Sequence, residues 1–109
     1  MSVFTTTKEN FDQQVLGAGH PVMVDFWAPW CGYCRRIAPA VDQLAGEHEG
    51  SVEIGKINID EQPALAERFS VETIPTLMLF KEGQAVGEPL IAPESKAQIN
   101  RWLKENGAI

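Results

Sequence analysis

The run Val22-Met23-Val24-Asp25-Phe26-Trp27 is apolar at every position but one. Unbroken apolarity over a strand-length segment predicts a strand covered on both faces, the central strand of a layered sheet. It also leaves the Asp25 carboxyl at a buried position. A helical period follows almost at once. From Cys31 onward, Ile37, Val41, Leu44 and His48 fall on one stripe, flanked by Ala40 and Ala45. Pro39 lies inside that helix and is expected to kink it by removing a hydrogen bond.

The other elements follow from period and turn chemistry. Thr6 and Glu9 have capping-box spacing ahead of a short helix with Phe11, Val15 and Leu16 inward, ended by Gly17 and Gly19. Val52 to Ile59 reads as a strand. Asp60 is expected to cap a short helix with Pro63 in its first turn and Leu65, Ala66 and Phe69 buried. Thr76 to Phe80 is a strand, Glu82-Gly83 a turn, and Ala85 to Ile91 a weaker strand that Pro89 confines to a sheet edge. Ser95 and Gln98 open a last helix with Ile99, Trp102 and Leu103 inward and Gly107 at its end. The order α, β, α, β, α, β, β, α predicts an α/β fold, a central mixed sheet with helices on both faces. At 109 residues the chain reads as one domain over 1–109.

The two cysteines, Cys31 and Cys34, stand where the central strand hands over to the helix. A disulfide between them closes a ring too small to remove much unfolded-state entropy, so it is a poor staple. As a reversible two-electron couple the pair is well placed. Cys31 begins the helix, where free N–H groups and the macrodipole favour a thiolate, and Arg35 and Arg36 add positive charge. Cys34 lies one turn deeper on the same side. Cys31 is thus the expected nucleophile and Cys34 the resolving thiol, which needs a proton acceptor when it attacks. Asp25, its pKa raised by desolvation, suits that role. Lys56 falls on the same strand face as Val52 and Ile54 and is the expected charge partner of Asp25; the plainer alternative makes the two a structural ion pair.

Other chemistries fit less well. A structural zinc site needs four ligands, and His20 and His48 form no second pair beside the cysteines. A net charge of −6 argues against nucleic-acid binding. The first residues, Met1-Ser2-Val3-Phe4, show no basic region followed by an apolar run, and no stretch could span a bilayer. A cytoplasmic setting is expected, where nearby cysteines are catalytic or metal-binding more often than structural.

The run Val24-Asp25-Phe26-Trp27-Ala28-Pro29-Trp30-Cys31-Gly32-Tyr33-Cys34 resembles the thioredoxin family. So do Lys56-Ile57-Asn58-Ile59-Asp60, Ile74-Pro75-Thr76-Leu77 and Phe80-Lys81-Glu82-Gly83, in the family's order and spacing over essentially the whole chain. The resemblance implies the thioredoxin fold, with Pro75 cis and packed on the disulfide. It implies that the Ile74 backbone pairs with an extended substrate segment, and that Trp30 and Gly32 line the docking surface. Asp25 and Lys56 match the family's buried acid and lysine. The implied activity is reduction of protein disulfides without a bound cofactor, by a monomer that receives electrons from a thioredoxin reductase. A thiol oxidase or isomerase, or a binding subunit of the same fold, are the alternatives. Two segments depart from the family pattern. Tyr33 stands where proline is usual; the backbone N–H it restores is expected to stabilise the Cys31 thiolate and make the couple more oxidising than about −270 mV. Ile91-Ala92-Pro93 replaces Val-Gly-Ala, so Ala92 occupies the place of a glycine that lets a partner's backbone approach.

Overall fold

The computed structural model describes residues 3–109; Met1 and Ser2, part of the stretch read for a leader, lie outside them. Among the described residues, five strands form one sheet: β1 (Val3–Thr5), β2 (Val22–Trp27), β3 (Glu53–Asn58), β4 (Thr76–Lys81) and β5 (Gln84–Ile91), in the order β1-β3-β2-β4-β5. The three helices are α1 (Gly32–Glu47), α2 (Pro63–Arg68) and α3 (Lys96–Glu105), and a π-helical turn spans Asp12–Leu16. Parallel pairing joins β1 to β3 and β3 to β2; antiparallel pairing joins β2 to β4 and β4 to β5. The sheet is therefore mixed, and β2 is its central strand, as its apolar run requires.

Side-chain alternation on β2 divides the core. Met23 packs with Ile37, Val41 and Leu44 of α1 and Ile99 and Leu103 of α3. Val22, Val24 and Phe26 pack on the opposite face with Phe11, Val15, Leu65 and Phe80. Asp25 has the parity of Met23, so it points under α1. The same parity on β3 puts Lys56 on the face of Ile54. Two positions apart from the core pattern are thus delivered beneath the helix that begins at the cysteines. Pro39 lies within α1, which runs through it without a break.

Three local expectations are corrected. β1 is a strand the period did not reveal, because two half-buried residues and one exposed residue at a sheet edge carry too little pattern. The Thr6–Glu9 capping box does not form. Thr6 is buried and continues the edge pairing through its N–H to the Lys56 carbonyl (2.9 Å). The reciprocal bonds shift one residue on: Thr7 N–H donates to Asn10 Oδ1 (2.8 Å) and Asn10 N–H to Thr7 Oγ1 (3.2 Å). Asp60 does not cap α2. The cap position is Gln62, without a side-chain bond, and Asn58 Oδ1 takes the Asp60 N–H instead (2.9 Å). At α3, by contrast, Ser95 Oγ accepts the Gln98 N–H (3.1 Å). Gly107, at φ 76°, ends that helix in a Schellman motif, with Ala108 N–H on the Leu103 carbonyl and Gly107 N–H on that of Lys104.

Gly55 lets the β1 edge sit close against β3. A Cβ there would strike Thr6 Oγ1 and come within 2.9 Å of the Phe4 ring. Gly55→Ala is expected to cost about 1–3 kcal/mol through overpacking, read as a lower urea midpoint with an unchanged m value.

Candidate active site

Cys31 and Cys34 are joined by a disulfide, with Cα atoms 5.2 Å apart. The local sequence explains their placement. Trp27 ends β2, Ala28 to Trp30 make the turn, and Cys31 takes an extended conformation as the N-cap of α1. Its sulfur accepts the Cys34 N–H at 3.1 Å. This bond does for the sulfur what a serine cap does for a hydroxyl, and a negative sulfur would strengthen it. The donor is Cys34; among the described residues, the N–H of Tyr33 makes no hydrogen bond to that sulfur, so the expected extra donor does not reach it. The Arg35 guanidinium donates to the Pro29 carbonyl at 2.6 Å and braces the turn.

The Ile74–Pro75 peptide is cis, and the Ile74 carbonyl lies 4.0 Å from the Cys31 sulfur. Ile74 also packs against the cluster of Ala28, Cys31 and Cys34. Trp30 is 65% exposed and Ile91 54%, the two large apolar side chains left to solvent among the described residues. Trp30 is held in place: its indole N–H donates to Asp60 Oδ2 at 2.9 Å. Gly32, at the first position of α1, is exposed beside it.

Asp25 lies beneath the disulfide and is only 3% exposed. Desolvation pushes its carboxyl up to about 6; the Lys56 charge pulls the other way, and Asp42 adds to the rise. A cavity of about 230 Å³ is lined by Asp25, Trp27, Cys34, Arg35, Ala38 and Lys56. The carboxyl and the deeper cysteine both line it. Lys56 is the register partner of Asp25 on the adjacent strand, yet its ion pair is with Asp42 of α1 (3.3 Å). The expected Asp25–Lys56 contact is thus replaced. Asp42 is 58% exposed, so the ammonium keeps part of its hydration there, whereas contact with buried Asp25 would remove it. Lys56 acts on Asp25 through space.

Sequence reasoning missed two residues. Asp42 carried a signal, since Cys34, Ala38 and Asp42 form an i, i+4 row on α1. Asp60, read as a helix cap and as the end of the Lys56–Asp60 run, gave no sign of its bond to Trp30.

A redox disulfide at the start of the helix after a central strand, with a buried carboxyl below and a cis-proline loop above, defines a thiol-disulfide oxidoreductase acting on protein disulfides. Comparison with known proteins agrees. The sequence model of the Thioredoxin family matches residues 2–105. The chain is 49% identical over 106 residues to the thioredoxin of Pyropia yezoensis, covering 94% of this chain and 99% of the relative. It is 43% identical over 100 residues to thioredoxin 1 of Nostoc sp., covering 92% of each, and 51% identical over 77 residues to the thioredoxin of Synechocystis sp., covering 71% and 72%. The chain belongs to the thioredoxin family.

Proposed function

We propose that the chain acts as a single thioredoxin domain that reduces protein disulfides in the cytoplasm as a monomer, and that a thioredoxin reductase returns it to the dithiol form. The observation that carries the reading is the cavity shared by Cys34 and Asp25 beneath a helix-capping Cys31. The Cys31 thiolate attacks one sulfur of the substrate disulfide, and the other sulfur leaves as a thiolate that takes up a proton. Cys34 then gives its proton to Asp25 and attacks the Cys31 sulfur. The Cys31–substrate bond breaks, the second substrate thiol departs, and the Cys31–Cys34 disulfide remains. Two electrons have passed from dithiol to substrate. The cavity they both line has room for water, which would carry the proton from thiol to carboxyl. Lys56, held by Asp42, lowers the cost of the Asp25 charge when it forms.

Extended substrate segments pair with the backbone at Ile74, beside Pro75, while Trp30, Gly32, Tyr33 and Ala92 line the surface around the cysteines. Among the described residues, no helix is long and apolar enough to cross a bilayer. Insulin-disulfide reduction coupled to NADPH and a thioredoxin reductase tests the whole reading. The expected result is NADPH consumption that depends on this chain and on its cysteines; consumption with neither insulin nor a small disulfide as acceptor would remove the reductase assignment.

A further inference from the structure

Tyr33 and Ile91-Ala92-Pro93 are the two departures from the thioredoxin pattern, and the fold joins them. Tyr33 Oη donates to the Pro93 carbonyl at 2.7 Å, across 60 residues of sequence. The tyrosine ring packs against the cysteine cluster, with the Arg36 guanidinium 5.7 Å from its centroid. On the far side of the bond, Pro93 is buried and Ala92 is exposed, with a left-handed φ of 48°. An L-residue resists that conformation, and here two neighbouring hydrogen bonds hold it. Ala92 N–H donates to the carbonyl of Pro75 at 2.9 Å, and the next carbonyl accepts from Tyr33.

Tyr33, Ala92, Pro93 and the cis-proline loop are thus bonded into one unit beside the disulfide. The tyrosine ring and the Ala92 methyl give this unit its bulk, and Pro93 restricts the backbone next to that methyl. Ile91 is not part of it: its side chain turns to the other face of the sheet, beside Thr76, Met78 and Pro89. A bulky side chain beside the attacked cysteine would have to push Ala92 aside and strain the Tyr33–Pro93 bond. We propose that Tyr33, Ala92 and Pro93 form a clasped wall, and that Tyr33 is a specificity-determining residue favouring disulfides on extended segments with small flanking side chains. The inference rests on the protein-disulfide reductase reading above.

Two synthetic disulfide peptides test it, identical except for Ala or Trp next to the attacked cysteine, with dithiothreitol regenerating the enzyme. Wild type is expected to prefer the Ala peptide in kcat/KM. Tyr33→Phe keeps the ring and removes the hydroxyl, and should shrink that preference about three- to tenfold, the factor expected for one hydrogen bond, chiefly through KM for the Trp peptide. Ala92→Gly should move the preference the same way. Hydrogen exchange at the Ala92 amide should quicken by a similar factor in Tyr33→Phe. Equal reduction of both peptides by wild type overturns the selectivity, as does an unchanged preference in Tyr33→Phe. Unchanged exchange overturns the clasp. Reduction of neither peptide by wild type removes the reductase reading and the selectivity with it, and the exchange rate still decides whether the clasp exists.

Discussion

Cys34→Ser is expected to lower multiple-turnover reduction of a protein disulfide by at least about 10³-fold while leaving the first attack in place. The asymmetry comes from the helix. The Cys31 sulfur is the N-cap acceptor for the Cys34 backbone N–H, and the serine variant keeps that backbone donor. Cys31 therefore still forms the mixed disulfide. With no thiol at 34, nothing inside the protein breaks it. The variant should accumulate a covalent adduct with substrate, visible on a non-reducing gel and released by dithiothreitol. Cys31→Ser should lose turnover to a similar extent and trap nothing. Trapping by Cys31→Ser, with none by Cys34→Ser, would reverse the assignment of attacking and resolving thiols.

Asp25→Asn is the second large effect, and it should separate function from stability. If Asp25 takes the Cys34 proton, the variant forms the mixed disulfide at nearly the normal rate but resolves it about 10²-fold more slowly, the lower end of the range for a lost general base. Stopped-flow tryptophan fluorescence under single-turnover conditions follows both steps; equal slowing of the two counts against the base role. For the wild type, the rate of resolution should rise with pH through about 6, where the Asp25 carboxyl loses its proton. That limb should be missing in Asp25→Asn.

The stability effect runs in the opposite direction. In the folded protein the Asp25 carboxyl is held up at about 6 by burial, against 3.8 as its ordinary value. Between those values the folded state binds more protons than the unfolded state, so stability falls as pH rises, and above about 6 the full penalty applies. At about 1.4 kcal/mol per pH unit, the penalty is about 3 kcal/mol. Asp25→Asn removes the charge but still buries a polar amide, which offsets part of the gain. The variant should be more stable than wild type by about 2 kcal/mol at pH 8 and show little of that gain at pH 4. Urea unfolding at the two pH values measures this. A gain of equal size at both would mean that packing, and not the buried charge, sets the stability.

The stability penalty has a functional reading. Asp25 has the parity of Met23, and an apolar side chain would complete that face of β2. A carboxyl there weakens the fold at neutral pH, a cost consistent with the proposed role as proton acceptor. Lys56 shares the arrangement. Its ammonium reaches Asp42 at the solvent edge while its charge still acts on Asp25.

What the sequence alone determined is what local period and local chemistry carry. The apolar run of β2 placed it at the centre of the sheet, Pro89 placed β5 at an edge, and the Ser95–Gln98 spacing marked the start of α3. Each depends on residues within a few positions of one another. The buried carboxyl at Asp25 and the place of Cys31 at the start of α1 were legible for the same reason. What only the tertiary structure decided involves partners far apart in the chain. Lys56 chose Asp42 over Asp25, Asp60 turned from capping α2 to holding the Trp30 indole, β1 formed against an edge made by β3, and Tyr33 met Pro93. Periodicity says which face a side chain takes, but hydration and distance settle which of two nearby charges it pairs with. Those are properties of the packed molecule: an ammonium that can keep water at Asp42 will not give it up at Asp25.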